Sequence, residues 1–241
     1  MATKILSLAY KKNDDEDVSL QPATTTGTSI NAMSGRPIIS ELLKITVDRS
    51  FKLSNPEFAA LRAAAVQAGV KEQYYGIAAG EPDHLSWVIQ WPADLSTHPS
   101  EYAGPEGDFR KRLAALDVRN SPTNWFIKFE DAKLPRPALE APVCQICTVF
   151  VKPTSDLQTL LPSLKKTFTD CYDDPYKGFT GGHWGLAENE PRLAWYFLGW
   201  QSRKAHDLYA ATPLFDVEID KLTPHMAGGW SHYVEFTKET R

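Results

Sequence analysis

The sequence predicts an α+β protein in which one unit, β-α-β-β-α-β, is written twice in tandem. Three observations carry this reading. "KEQYYGIAAGEPDHLSWVIQW" and "YKGFTGGHWGLAENEPRLAWYFLGW" each place a strand, a short acidic Pro turn and a second strand that ends in Trp. "TNWFIKF" and "WSHYVEF" both alternate, with Trp125, Ile127 and Phe129 on one face and His232, Val234 and Phe236 on the matching face. Each copy also opens with a β-branched run followed by a helix that carries its own cap.

The elements follow in order. In the first copy "ITV" opens a strand, Ser54 is placed to cap a helix, Pro56 sits just inside it and Gly69 closes it. In the second copy "CTVFV" is the strand, and Ser155 or Asp156 caps "LQTLLPSLKKTF". Pro162 falls inside that run, which predicts a late start or a kink. "HLSWVIQW" and "RLAWYFLGW" are rich in aromatic and β-branched residues and read as strands. A second helix beginning with His follows in each copy, pairing His98 with Tyr102 at i+4 and His206 with Tyr209 at i+3. The unit is a ferredoxin-like split βαβ, which leaves one sheet face uncovered; two in one chain can cover each other. Residues 1–40 read as a leader, partly flexible over 12–36, in which "KILSLAY" can add a strand or cover an edge. Residues 41–131 are the first repeat, 132–142 a linker, and 143–241 the second repeat.

Composition excludes several classes. The net charge is -4 and lysines and arginines are scattered, so no electrostatic footprint for nucleic acid exists. No window approaches the roughly 20 apolar residues of a membrane-spanning helix, and the short apolar N-terminal run is followed by acids. The reading is a cytoplasmic, soluble chain, monomer or homodimer. Cys144 and Cys147 form "CQIC" within a strand run, no second pair completes a metal site, and the thiols read as buried or semi-buried in a reducing compartment. The second-copy histidines are 23, 19 and 7 residues apart, with no HxH or HxxxH pair, so no metal is assigned. Neither a phosphate-cradling Gly pattern nor a nucleophile elbow is present.

The run "HWGLAENEPRLAWYFLGWQSRKAHDLY" with a terminal "HYVEF" resembles the dimeric α+β barrel superfamily, over residues 42–130 and 143–238. Antibiotic-biosynthesis monooxygenase-like and stress-responsive A/B-barrel domains are among its members. The resemblance implies a tandem, single-chain barrel. It spans cofactor-free oxygenases, cyclases, isomerases, decarboxylases, haem enzymes and proteins without known activity, so it does not select a reaction. The expectation is a cofactor-free cyclase, isomerase or decarboxylase acting on a hydrophobic or polyphenolic, polyketide-like metabolite. A monooxygenase on a similar substrate is the alternative, and a non-catalytic ligand-binding or stress-associated barrel the rival from another class. Haem, held by His183, His206 or His232, is a minor alternative.

Duplication supplies a control for the site. Trp91 and Trp200 recur and read as core; His98 and His206 recur, which favours a structural role over an acid–base one. His183, in "TGGHWG", and His232 have no histidine counterpart. A buried imidazole must be paired or neutral, so His232 is the candidate general base or substrate anchor and His183 its partner, beside the reading of both as structural. Tyr196, His206 and Tyr209 are candidate acid–base or oxyanion groups, and Trp184, Trp195, Trp230, Phe179 and Phe236 the apolar walls. Four of the six histidines lie in the second copy, which places the site there. His84 reads as exposed, His225 as a loop residue, and Tyr74 and Tyr75 as the first copy's polar aromatics.

Overall fold

The structure, a computed structural model, describes residues 39–92, 94–129 and 134–240. The leader up to residue 38, with its flexible and strand-forming readings, lies outside the described residues. In the first half, β1 (Ile39–Thr46) leads to α1 (Pro56–Gln67), β2 (Glu72–Ile77), β3 (His84–Trp91), a 3-10 turn (Pro99–Glu101), α2 (Phe109–Leu116) and β4 (Thr123–Ile127). A short helix, α3 (Arg136–Leu139), then precedes the second half. That half comprises β5 (Val143–Val151), α4 (Leu157–Thr169), β6 (Phe179–Leu186), β7 (Leu193–Trp200), α5 (Arg203–Ala210), α6 (Pro213–Leu222), β8 (Met226–Gly228), β9 (Ser231–Val234) and β10 (Thr237–Thr240).

Two antiparallel sheets result. The first runs β10-β2-β3-β1-β4, and the second β6-β7-β5, with β8 and β9 both paired to β5. Their edges meet on both sides, through bridges Ile127↔Ala187 and Ala78↔Val234. β10 leaves the second half altogether and pairs with β2 of the first. The strands therefore close a barrel of mixed parentage. Its interior is one core drawn from both halves, including Leu42, Val88, Trp125, Ile146, Trp195 and Val234. Outside, Phe58, Leu61 and Leu113 of α1 and α2 cover one sheet, while Leu164, Phe168, Tyr209 and Leu222 of α4, α5 and α6 cover the other. Every residue of β3 and β7 is buried, because each central strand has the barrel on one face and helices on the other.

Duplication extends to side-chain chemistry. Trp91 Nε1 donates to Glu41 Oε2 at 2.8 Å, and Trp200 Nε1 donates to Gln145 Oε1 at 3.1 Å. Ile39 pairs with Trp91 and Val143 with Trp200, so Glu41 and Gln145 stand at equivalent positions. Both tryptophans are fully buried core, and their indole N–H groups are satisfied in the same way in each half.

Several local expectations change. Asn55, not Ser54, caps α1, its Oδ1 accepting from the Glu57 and Phe58 amides at 2.9 and 3.1 Å. Asp156 caps α4, which passes through Pro162 as one continuous element starting at Leu157. Gly69 does close α1, at φ +94°. The second helix is not a single helix opening on His: His98 caps the 3-10 turn ahead of α2, and His206 lies within α5, itself followed by α6. Tyr102 donates to the Ala64 carbonyl at 2.6 Å, and His206 pairs with Tyr233 at 2.8 Å, so neither His–Tyr couple read from helical spacing forms. "CQIC" lies within β5 and its thiols are free; burial pushes both upward, leaving no reactive thiolate.

Candidate functional site

One end of the barrel interior gathers polar and aromatic side chains from five strands. Alternation turns Lys44 of β1, Ser86 of β3 and His232 of β9 toward the interior, while Leu43, Ile45, Leu85 and Trp87 face the helices. His84, at the start of β3, is 4% exposed and its ring lies 4.6 Å from that of His232, also 4% exposed. The reading of His84 as an exposed turn residue is therefore corrected. The acidic turn before it folds over the barrel end and places Glu81 against its ring.

These groups form a chain. Glu81 Oε2 lies 3.2 Å from His84 Nδ1, His84 Nε2 lies 3.4 Å from Ser86 Oγ, and Ser86 Oγ lies 3.1 Å from His232 Nε2. A carboxylate only accepts, so it assigns the proton of neutral His84 to Nδ1. His84 Nε2 then accepts from the Ser86 hydroxyl, whose oxygen accepts from His232 Nε2–H. The lone pair of His232 is left on Nδ1, which is buried and has no hydrogen-bond partner. Burial, then His84 and Lys44, lowers His232 to about 2, while burial and Lys44 also lower His84. Both imidazoles are neutral at physiological pH.

Tryptophans line the opposite side. Trp230 stacks on His232 at 4.9 Å and meets Trp195 edge-on at 5.1 Å, and Trp195 lies 4.6 Å from Trp125. Trp125 Nε1 donates to Glu190 Oε2 at 3.0 Å, whereas the Trp195 Nε1–H is buried without an acceptor. The Lys44 ammonium sits 5.3 Å over the Trp230 ring. Lys44, Trp230 and Phe150 are half-buried, so the barrel end reaches solvent at this point.

Of the residues expected to converge, the structure brings together His232, Trp195 and Trp230. His183 lies on β6, three strands from β9 in the order β6-β7-β5-β9, about 14 Å along the sheet at the usual strand spacing. Its Nδ1 accepts from the Trp184 amide at 2.9 Å, and its ring packs between Phe129 and Phe168. The role of partner to His232 is corrected accordingly. Tyr196 faces the helices and donates to the Leu164 carbonyl at 2.9 Å; Trp184 stacks on it, and burial holds its phenol well above the usual range. His206, Tyr209 and Phe179 pack around Trp200 on the same outer face. Phe236 lies near the other end of the barrel, against Tyr74.

The glycines of "GGHW" also have a packing reason. A Cβ at Gly182 would collide with the Phe197 carbonyl, and Gly181, at φ +121°, faces Pro137 of α3. The first copy supplies what sequence reasoning missed. Lys44, His84 and Ser86 stand where the second copy has Thr148, Leu193 and Trp195, as the registers of β1–β3 and β5–β7 show. The signal was present, since these positions are polar in one copy and mostly apolar in the other. Assigning the site to the second copy concealed it. Among the described residues no group of three or more His, Cys, Asp or Glu is placed to hold a metal ion, and no helix is long and apolar enough to cross a membrane.

No protein-family description matches the sequence and no curated protein matches it. Solved structures do. An anthrone oxidase-like protein superposes with TM-score 0.62 at 16% identity, over 85% of this chain and 93% of its own. A candidate monooxygenase from Fusobacterium nucleatum gives TM-score 0.61 at 12% identity, over 85% and 95%. Another from Lactobacillus acidophilus gives 0.54 at 13%, over 85% and 96%. At such identities the likeness is one of fold, and it spans both halves of the barrel together. The chain thus shares the α+β fold of these solved structures, both halves of the barrel lying in one chain.

Proposed function

We propose that the barrel end around His232 is the active site of a small-molecule tailoring enzyme that removes a proton from a hydrophobic, aromatic substrate without a cofactor. The observation that carries this reading is the buried, unpartnered Nδ1 of His232, which the chain from Glu81 leaves as the acceptor. An acceptor held away from water without a partner costs roughly 1–3 kcal/mol. A substrate C–H or O–H presented to it offsets that cost and is polarised by it. As the proton arrives on Nδ1, His232 Nε2 keeps its bond to Ser86, and Ser86 and His84 relay positive charge toward Glu81, whose side chain is half exposed. Return of the abstracted proton from Nδ1 to the intermediate resets the base.

The anion so formed is the common intermediate of isomerisation and cyclisation; in a decarboxylation the carbanion forms instead as carbon dioxide leaves, and it is then protonated. Oxygenation is the second reading, favoured by the names of the fold neighbours. Dioxygen takes up the electron pair of the carbanion, and loss of water from the resulting hydroperoxide leaves a ketone. His232→Ala is expected to abolish turnover of anthrone-like or polyphenolic substrates, with product and oxygen consumption followed in parallel. Ser86→Ala, which breaks the relay, should lower kcat about 10–100-fold with little change in KM. Retained turnover in His232→Ala, with the fold intact by circular dichroism, removes His232 as the base.

A further inference from the structure

The barrel end is richer in donors than its own acceptors require. Lys44 Nζ lies over Trp230, and among the described residues no carboxylate lies within ion-pair distance of it. Of the carboxylates at this end, Glu81 is turned to His84 and Glu190 to Trp125, and Asp83 acts on His84. Trp195 Nε1–H is a second donor without a partner, on a fully buried ring packed against the same Trp230. The neighbouring histidines, neutral or cationic, carry no negative charge to offer it. A half-buried ammonium and an orphaned indole N–H thus stand beside one orphaned acceptor. Lone cations at such depth are costly unless something pairs with them.

We infer that the substrate is an aromatic anion, a carboxylate or ionised phenol, whose charged oxygen is received by Lys44 and Trp195 Nε1–H while its acidic proton faces His232 Nδ1. This rests on the proposed function and adds the charge of the substrate and the residue that selects it. Lys44 and Trp195 both border Trp230, so an oxygen anion bound beside that ring is placed to meet the two idle donors. The anion also supplies what the site lacks when His232 takes up a proton. The negative charge brought in by the ligand offsets the Lys44 repulsion that otherwise opposes an imidazolium there.

Equilibrium binding of three bicyclic probes, followed by quenching of tryptophan fluorescence, tests the inference independently of turnover. 2-Naphthoate carries the carboxylate, 2-naphthol the phenol, and 2-naphthamide is the neutral control. At pH 8, naphthoate or naphthol is expected to bind about 10–100-fold tighter than the amide. Preference for naphthoate assigns a carboxylate. Preference for naphthol, with the red-shifted absorption of the bound naphtholate, assigns a phenolate. Lys44→Met should erase the preference while leaving amide binding in place, and Lys44→Arg should restore most of it; circular dichroism checks the fold of both. Equal affinity for all three probes, or an unchanged preference in Lys44→Met, overturns the inference. His232→Gln should keep the preference, so that failure of His232 as base and failure of Lys44 as anion receptor give different results.

Discussion

At the scale of the residue, two imidazoles are kept neutral by burial, and their neutrality has a thermodynamic signature. In the unfolded chain a histidine titrates near about 6.5. In the fold His232 is lowered to about 2 and His84 is also lowered, burial being the first cause for each. Below pH 6.5 the unfolded chain therefore binds more protons than the folded one, and stability present above that pH is lost as pH falls, by up to about 1.4 kcal/mol per pH unit for His232, with a further loss from His84. The urea midpoint is expected to drop between pH 7 and pH 5, and to drop less in a His84→Asn, His232→Asn double variant. His206, lowered by burial as well, supplies part of the remainder. An equal drop in the double variant would count against the assignment. His232 was legible as a candidate because it alternates with Val234 and Phe236 on an apolar face. His84 was not, because what buries it is a strand from the other half, and sequence proximity to Glu81 and Asp83 suggested solvent instead.

At the scale of the element, α3 shows what local sequence cannot predict. "LPRPAL" carries two prolines and forms a single helical turn, too short to stand on propensity. It is held by burial of Ala138 and Leu139 in the barrel core, by Arg136 on Glu72 at 2.8 and 2.9 Å, and by Glu140, which accepts from Tyr74 at 2.9 Å and Lys238 at 2.5 Å. It can approach because β7 offers Gly199: a Cβ there would stand 2.7 Å from the Pro137 oxygen and 2.9 Å from Ala138 Cα. Gly199→Ala should cost about 1–3 kcal/mol in urea unfolding. Gly228→Ala, where nothing lies within 4 Å, is the control and should stay within about 0.5 kcal/mol. The strands were legible because alternation and aromatic runs survive in any context. The second helix of the first copy was not, because "HPSEYAGPEGDF" interrupts a helix with Pro99, Gly104, Pro105 and Gly107.

At the scale of the molecule, neither half owns the interior. Leu42, Val88 and Trp125 of the first half pack in one core with Ile146, Trp195 and Val234 of the second. Separating the halves would bare an apolar sheet face on each. Unfolding in guanidinium should accordingly be one transition, with tryptophan fluorescence and far-ultraviolet circular dichroism coinciding. Two resolved transitions would show that the halves stand alone. The shared interior also explains why the duplication comparison was informative about the fold and misleading about the site. Features common to both copies, such as the Trp91–Glu41 and Trp200–Gln145 bonds, repeat faithfully. The candidate chemistry lies where the copies differ, and it is assembled from both.

The crossing of β10 to the first sheet sets the order in which the chain can finish itself during synthesis. Glu72–Tyr75 leaves the ribosome well before its partner Thr237–Thr240 is made. Throughout that interval β2 is an open edge able to pair with another nascent chain. A contact so distant in sequence also makes closure slow relative to the local helices. The hazard for this protein is therefore one of timing, greatest when translation stalls after β7 and many incomplete first sheets lie near one another.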